Sequence, residues 1–128
     1  MKSARELVDL ALAEVTTLAP AQAKSLLGAP DVLFVDIREA AELEREGRIP
    51  GAFHAPRGLL EFWADPGSAW HQPELAPGRR LLLFCAAGWR SALAAKALHD
   101  MGRSDVCHLG GGFSAWQKEG GAVDAPPR

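Results

Sequence analysis

Cysteine is scarce in this chain: only Cys85 and Cys107 occur among 128 residues. Two cysteines are too few for a disulfide framework, and no Cys/His cluster has zinc-ligand spacing, so a reducing compartment is the simpler setting. Charge of one sign is lacking too. Fourteen basic against sixteen acidic residues leave a net charge of -2. No basic block or stripe stands out, so neither nucleic acid nor an anionic membrane is expected as a partner. No apolar run approaches membrane-spanning length. Met1 to Leu12 breaks up its apolar residues with Arg5, Glu6 and Asp9, which leaves no signal-peptide core, and a cytoplasmic location is expected. The length fits one domain able to bury a core without metals or disulfides.

What is present alternates. Leu7, Val8, Ala11, Leu12 and Val15 share one helical face over residues 4–15, which predicts an amphipathic N-terminal helix. Thr16 to Leu18 is β-prone, and Pro20 suits the first turn of a helix running to about Leu27 before Gly28 and Pro30. Val32 to Asp36 reads as a buried strand, Glu39 to Glu46 as a short charged helix, Ala52 to Ala55 as an extended segment and Gly58 to Ala64 as helical. Asp65 to Gly78 is the longest irregular connection. Arg80 to Phe84 is the next buried strand, Ser91 to Met101 a helix stopped by Gly102, Asp105 to Leu109 a strand and Phe113 to Glu119 a last helix. Residues 1–15 are thus expected to be a helical extension, 16–121 the domain proper and 122–128 a frayed tail. Strands alternating with helices predict an α/β fold with an open, mostly parallel sheet covered on both faces, whose site lies beyond the carboxyl ends of strands.

Cys85 stands at such an end. It follows four apolar residues and opens the run Cys85-Ala86-Ala87-Gly88-Trp89-Arg90-Ser91 before an alanine-rich helix. Free backbone N–H groups converge at a helix start, and the helix dipole adds roughly half a positive charge there, so a thiolate or a bound anion is stabilised. Surroundings of this kind lower a thiol from its free value of about 8.5. Ala86, Ala87 and Gly88 leave the backbone uncovered so that successive amides can point at one centre. Arg90 adds a permanent charge and a planar donor fork, and Trp89 is a candidate wall or lip of a pocket. Taken alone Cys85 would read as a buried structural thiol; with Gly88, Arg90 and the helix start, a nucleophile acting on an anion is the better reading. Cys107, inside a predicted strand, reads as core packing, with a resolving thiol as the alternative. Asp36 ends a strand parallel to the one ending at Cys85, where it would pair with Arg38, orient the loop arginine, or cap the following helix. His54, His71, His99 and His108 have no metal or triad spacing and read as structural or solvent-facing.

Four segments together, Val35-Asp36-Ile37-Arg38-Glu39, Arg48 to Gly58, the Cys85 loop and Leu109-Gly110-Gly111-Gly112-Phe113-Ser114-Ala115-Trp116, resemble the single-domain rhodanese family of sulfurtransferases in order and spacing, from about Thr16 to Glu119. The resemblance implies a five-stranded sheet flanked by helices, with Cys85 carrying sulfane sulfur as a persulfide. It implies that the amides from Ala86 to Ser91 form an anion cradle and that Arg57 and Arg90 line its entrance; Asp36 and Arg38, from the strand-end reading, are expected in support. Two departures stand out: Arg48 where family members often have histidine, and residues 1–15, which precede the usual family start and would cap the sheet or support self-association.

The implied partners are a small anionic donor such as thiosulfate and an acceptor that is cyanide, a thiol or a protein cysteine; no metal or organic cofactor is called for. A phosphatase or arsenate reductase of related fold has five residues between cysteine and arginine, and here there are four. In the family comparison the shorter loop suits a transferable sulfur and the longer one a tetrahedral phosphate, and no obvious general acid stands beside the loop to protonate an alkoxide. A sulfur-carrier or interaction module docking to a partner protein is the alternative of another class. Redox sensing through Cys85 and Cys107 would require the two sulfurs to lie within disulfide reach.

Overall fold

The apolar runs Val32–Asp36 (β2) and Arg80–Phe84 (β4) pair in parallel at the centre of a five-stranded sheet in the computed structural model of the chain, which describes residues 1–126. Thr16–Leu18 (β1), Phe53–His54 (β3) and Val106–Leu109 (β5) complete the sheet in the order β1-β5-β4-β2-β3, and every pairing is parallel. Helix Ala4–Glu14 (α1) precedes the first strand, Pro20–Leu26 (α2), Ala40–Glu46 (α3), Leu60–Ala64 (α4) and Trp89–Asp100 (α5) lie between successive strands, and Gly112–Lys118 (α6) follows the last. The sheet, its parallel sense and the extra N-terminal helix agree with the sequence expectation.

Both faces of the sheet are covered, and the two-residue period of a strand divides the core. Leu33, Val35, Leu81 and Leu83 pack with Leu60 and Ala64 of α4 and Ala94, Ala95 and Leu98 of α5. Phe34, Leu82, Phe84, Cys107 and Leu109 pack on the other face with Ala23 of α2 and Phe113 and Trp116 of α6. Helix α1 is capped by Ser3 and Glu6 in a reciprocal capping box and buries Val8 and Ala11 against Ala92 of α5, so it covers a helix rather than a sheet edge. A Glu14–Lys96 ion pair at 3.0 Å continues that contact.

Some boundaries shift for identifiable reasons. α5 begins at Trp89 rather than Ser91 because Gly88, at φ 104, forms the helix cap itself. The long connection is anchored midway by a 3-10 turn, Pro73–Leu75, whose Leu75 is fully buried. The expected frayed tail is instead ordered in its first part. Asp124 exchanges two backbone hydrogen bonds with Arg48, at 2.8 and 3.0 Å, and the Trp116 indole donates to the Ala122 carbonyl at 2.8 Å. The last two residues of that tail fall outside the described residues.

Candidate active site

β4 ends at Phe84, and the next residue, Cys85, is buried at 1% exposure at the carboxyl edge of the sheet. Its sulfur accepts the Gly88 N–H at 3.1 Å and the Ser91 N–H at 3.4 Å, and its Sγ lies 3.6 Å from the Ser91 hydroxyl. The curl that brings these donors round depends on Gly88: a side chain there would stand 3.2 Å from the Gly111 nitrogen as well as being strained at that φ. Among the described residues the amides of Ala86, Ala87, Trp89 and Arg90 donate to no acceptor, so four further N–H groups stand in or beside the loop. Trp89 is half-exposed on the first turn of α5.

The glycine run after β5 explains how the loop is held. The Phe113 N–H donates to the Cys85 carbonyl at 2.8 Å and the Ser114 N–H to the Ala86 carbonyl at 3.0 Å. A Cβ on Gly112 would sit 2.5 Å from the Cys85 oxygen, so only glycine permits this approach. α6 thereby engages the Cys85 and Ala86 carbonyls, while the Gly88 and Ser91 amides remain on the sulfur.

Arg90 does not stand free at the rim. Its two terminal nitrogens bind both carboxylate oxygens of Glu42 at 2.8 and 2.9 Å, a pairing of α3 with the loop that residue types and spacing did not reveal. The Arg90 hydrogen bonds hold the Glu42 carboxyl down at about 2. The Glu42 carboxylate in turn raises Arg90 above its ordinary value, with a smaller contribution from the charge of Cys85. Asp36 lies on the same rim as expected, but it serves Arg38. It accepts from the Arg38 side chain at 3.0 and 2.8 Å and from its backbone N–H at 3.1 Å, and it neither meets the loop arginine nor caps α3, whose cap is Glu39.

Arg38 is fully buried, donates to the Gly47 carbonyl at 2.9 Å and stacks 4.2 Å above the Phe113 ring. It therefore braces β2, α3 and α6 beneath the loop rather than opening onto a cleft. Arg57 is partly exposed and paired with Glu61 at 2.6 Å. Cys107 belongs to the opposite face of the sheet from Cys85, and burial pushes its thiol up.

One histidine takes the structural alternative and reaches the Cys85 loop through Ser91. His108 is buried, with Nδ1 2.9 Å from the Ser91 hydroxyl and Nε2 2.8 Å from the Thr17 hydroxyl. Burial lowers it to about 4, so it is neutral at ordinary pH. Its position inside a strand masked this contact in the sequence.

An open parallel sheet with a cysteine at the head of a helix defines the class, and comparison with known proteins gives the family. The chain belongs to the rhodanese-like domain family, whose model matches residues 19–119. It is 34% identical over 96 residues to a sulfurtransferase of Allochromatium vinosum, covering 75% of this chain and 81% of that protein. It is 30% identical over 98 residues to the thiosulfate sulfurtransferase/rhodanese-like domain-containing protein 3 of Mus musculus, covering 73% of this chain and 62% of that one. A solved structure from Rhodopseudomonas palustris, described as a protein of unknown function and possible tyrosine phosphatase, matches with a TM-score of 0.93 at 44% identity, over 97% of this chain and 96% of that one.

Proposed function

We propose that the protein is a sulfurtransferase in which Cys85 accepts sulfane sulfur from thiosulfate or a similar anionic donor and passes it to cyanide, a thiol or a protein cysteine. The observation that carries this reading is the pair of N–H donors on Sγ within a loop whose remaining amides are uncommitted. The Cys85 thiolate attacks the outer sulfur of thiosulfate, the S–S bond to the sulfite group breaks, and sulfite leaves with the electron pair. The loop amides then hold the terminal sulfur of the persulfide anion as they would an oxyanion. In the second half-reaction the acceptor attacks that terminal sulfur and Cys85 leaves as a thiolate on the same two amides. The 1% exposure of Cys85 favours slim donors and acceptors that reach down to the sulfur.

A phosphatase reading, invited by the Rhodopseudomonas description, is less well supported. The loop has four residues between cysteine and arginine. The carboxyl group that pairs with the loop arginine, on Glu42, is held at about 2 by Arg90 and carries no proton to give a leaving alkoxide at neutral pH. A sulfur-carrier role toward a partner protein draws support from the half-exposed Trp89 beside the loop. Steady-state assays separate the three: the expected outcome is thiosulfate:cyanide sulfur transfer with negligible aryl phosphate hydrolysis. Slow turnover of thiosulfate with rapid transfer to a protein thiol would favour the carrier role, and Cys85-dependent phosphate release would overturn the proposal.

A further inference from the structure

Four side chains form an unbroken line from the Cys85 sulfur to the surface. Cys85 Sγ lies 3.6 Å from Ser91 Oγ, Ser91 Oγ lies 2.9 Å from His108 Nδ1, and His108 Nε2 lies 2.8 Å from Thr17 Oγ1. The sheet register fixes the far end, since His108 pairs with Thr17 of the edge strand β1 on one side and with Leu83 of β4 on the other. Thr17 is exposed, whereas Cys85, Ser91 and His108 are each at most 1% exposed.

A neutral imidazole has one donor and one acceptor nitrogen, so the bonds on its two sides run in the same sense, and each hydroxyl, with one proton, donates to a single neighbour. Two arrangements satisfy the same distances. With Cys85 as a thiol, S–H donates to Ser91, Ser91 donates to Nδ1, and Nε2–H donates to Thr17. With Cys85 as a thiolate, the Thr17 hydroxyl donates to Nε2, Nδ1–H donates to Ser91, and the Ser91 hydroxyl donates to the sulfur. The Gly88 carbonyl, 3.3 Å from Ser91 Oγ, competes for that proton but is a weaker acceptor than a sulfur anion.

We propose that His108 is a positioning residue of the Cys85 site: Ser91, His108 and Thr17 form a tautomeric relay that turns the Ser91 hydroxyl toward the sulfur when Cys85 ionises and carries the released proton to solvent. In the forward step the S–H proton passes to Ser91, the Ser91 proton to Nδ1, the Nε2 proton to Thr17 and the Thr17 hydroxyl proton to water. Sulfur keeps the electron pair of the broken S–H bond, and Ser91, His108 and Thr17 are neutral before and after. Two cations of α5, the helix that carries Ser91, are already paired. Arg90 of α5 is held by Glu42, and Lys96 of α5 by Glu14 of α1 and Asp100. Burial is the sole cause depressing His108. The ring therefore transmits a proton without becoming a stable cation. The inference rests on the reading of Cys85 as the reacting thiol but not on any particular sulfur donor.

The test is ¹⁵N NMR of histidine-labelled protein across the pH range in which Cys85 ionises, with the Cys85 alkylation rate measured in parallel. The expected result is a neutral His108 that changes from the Nε2–H to the Nδ1–H tautomer with the same midpoint as Cys85 alkylation. Cys85→Ser should abolish the change, and blocking Cys85 of the parent protein with a neutral methylthio group should do the same without any substitution. Ser91→Ala should uncouple the ring and raise the alkylation midpoint. A His108 tautomer that stays fixed while Cys85 ionises, or that changes equally in the blocked protein, would overturn the relay. Sulfur loading is read separately, so relay and sulfurtransferase function can fail independently.

Discussion

At the residue scale, the cation of the loop is partly neutralised. Arg90 reads from sequence as an open anion receptor, yet its fork is occupied by Glu42. Under the proposed function an incoming anion would compete with a carboxylate held 2.8 Å away, leaving the backbone amides to supply the larger share of the anion field. Glu42→Gln should release the fork and lower KM for thiosulfate by up to about five-fold, because a partly exposed pair is worth at most about 1 kcal/mol. The effect should shrink with added salt. Arg90→Ala should reduce sulfur transfer by about ten- to a thousand-fold, the magnitude expected for one lost anion donor. The double variant should be better than Arg90→Ala alone, since it also removes the carboxylate that would otherwise stand unpaired beside the site. Steady-state kinetics at two ionic strengths check all three, and a Glu42→Gln enzyme with weaker thiosulfate binding would refute the competition.

At the element scale, glycine decides how closely α6 can approach the Cys85 loop. The Phe113 and Ser114 amides reach the loop carbonyls only because Gly112, at φ 60, carries no side chain against the Cys85 oxygen. Gly112→Ala should therefore destabilise the fold by about 1–3 kcal/mol, the cost of a strained backbone position, and should slow Cys85 chemistry even where the variant remains folded. Urea denaturation and thiosulfate turnover measure the two effects, and an unaffected variant would show that the loop is held by other contacts. β2 and β4 were legible in the sequence because four or so apolar residues between turn signals leave no room for an amphipathic helix. The cysteine at a strand end and the helix after it were legible for the same reason.

Three features were not legible, and each has a long-range cause. Glu42 lies 48 residues from Arg90 in sequence, and its place on a charged helix looked like ordinary solvation. His108 looked like any strand residue because its partners, Thr17 and Ser91, come from an edge strand and a helix start. Asp124, in the first part of the tail, pairs with Arg48, a contact that local composition does not encode.

At the scale of the whole molecule, the buried His108 and the paired Glu42 give stability a two-part dependence on acid. Folded His108 stays neutral down to about 4, whereas the unfolded side chain takes a proton near 6.5. The unfolded state therefore binds more protons in that window, and stability should fall by about 3 kcal/mol as pH drops from 6.5 to 4. Glu42 adds a second loss. Its contribution is complete above 4.5 and disappears as pH falls toward about 2, where the folded carboxylate finally protonates. His108→Asn should remove the first loss and keep the second. Urea midpoints across both windows check this, and a parent protein equally stable throughout the upper window would show that His108 is not buried as a neutral ring.

The fold, the two N–H donors on Sγ and the family relationship all support the central proposal that Cys85 carries the sulfur. The measurement that tests it most directly is the intact mass of the protein after incubation with thiosulfate, before and after cyanide. The account predicts a gain of one sulfur atom that cyanide removes, present in Cys107→Ser and absent in Cys85→Ser. Equal sulfur loading of the Cys85→Ser protein, or no loading of the parent by thiosulfate or any other sulfane donor, would contradict it.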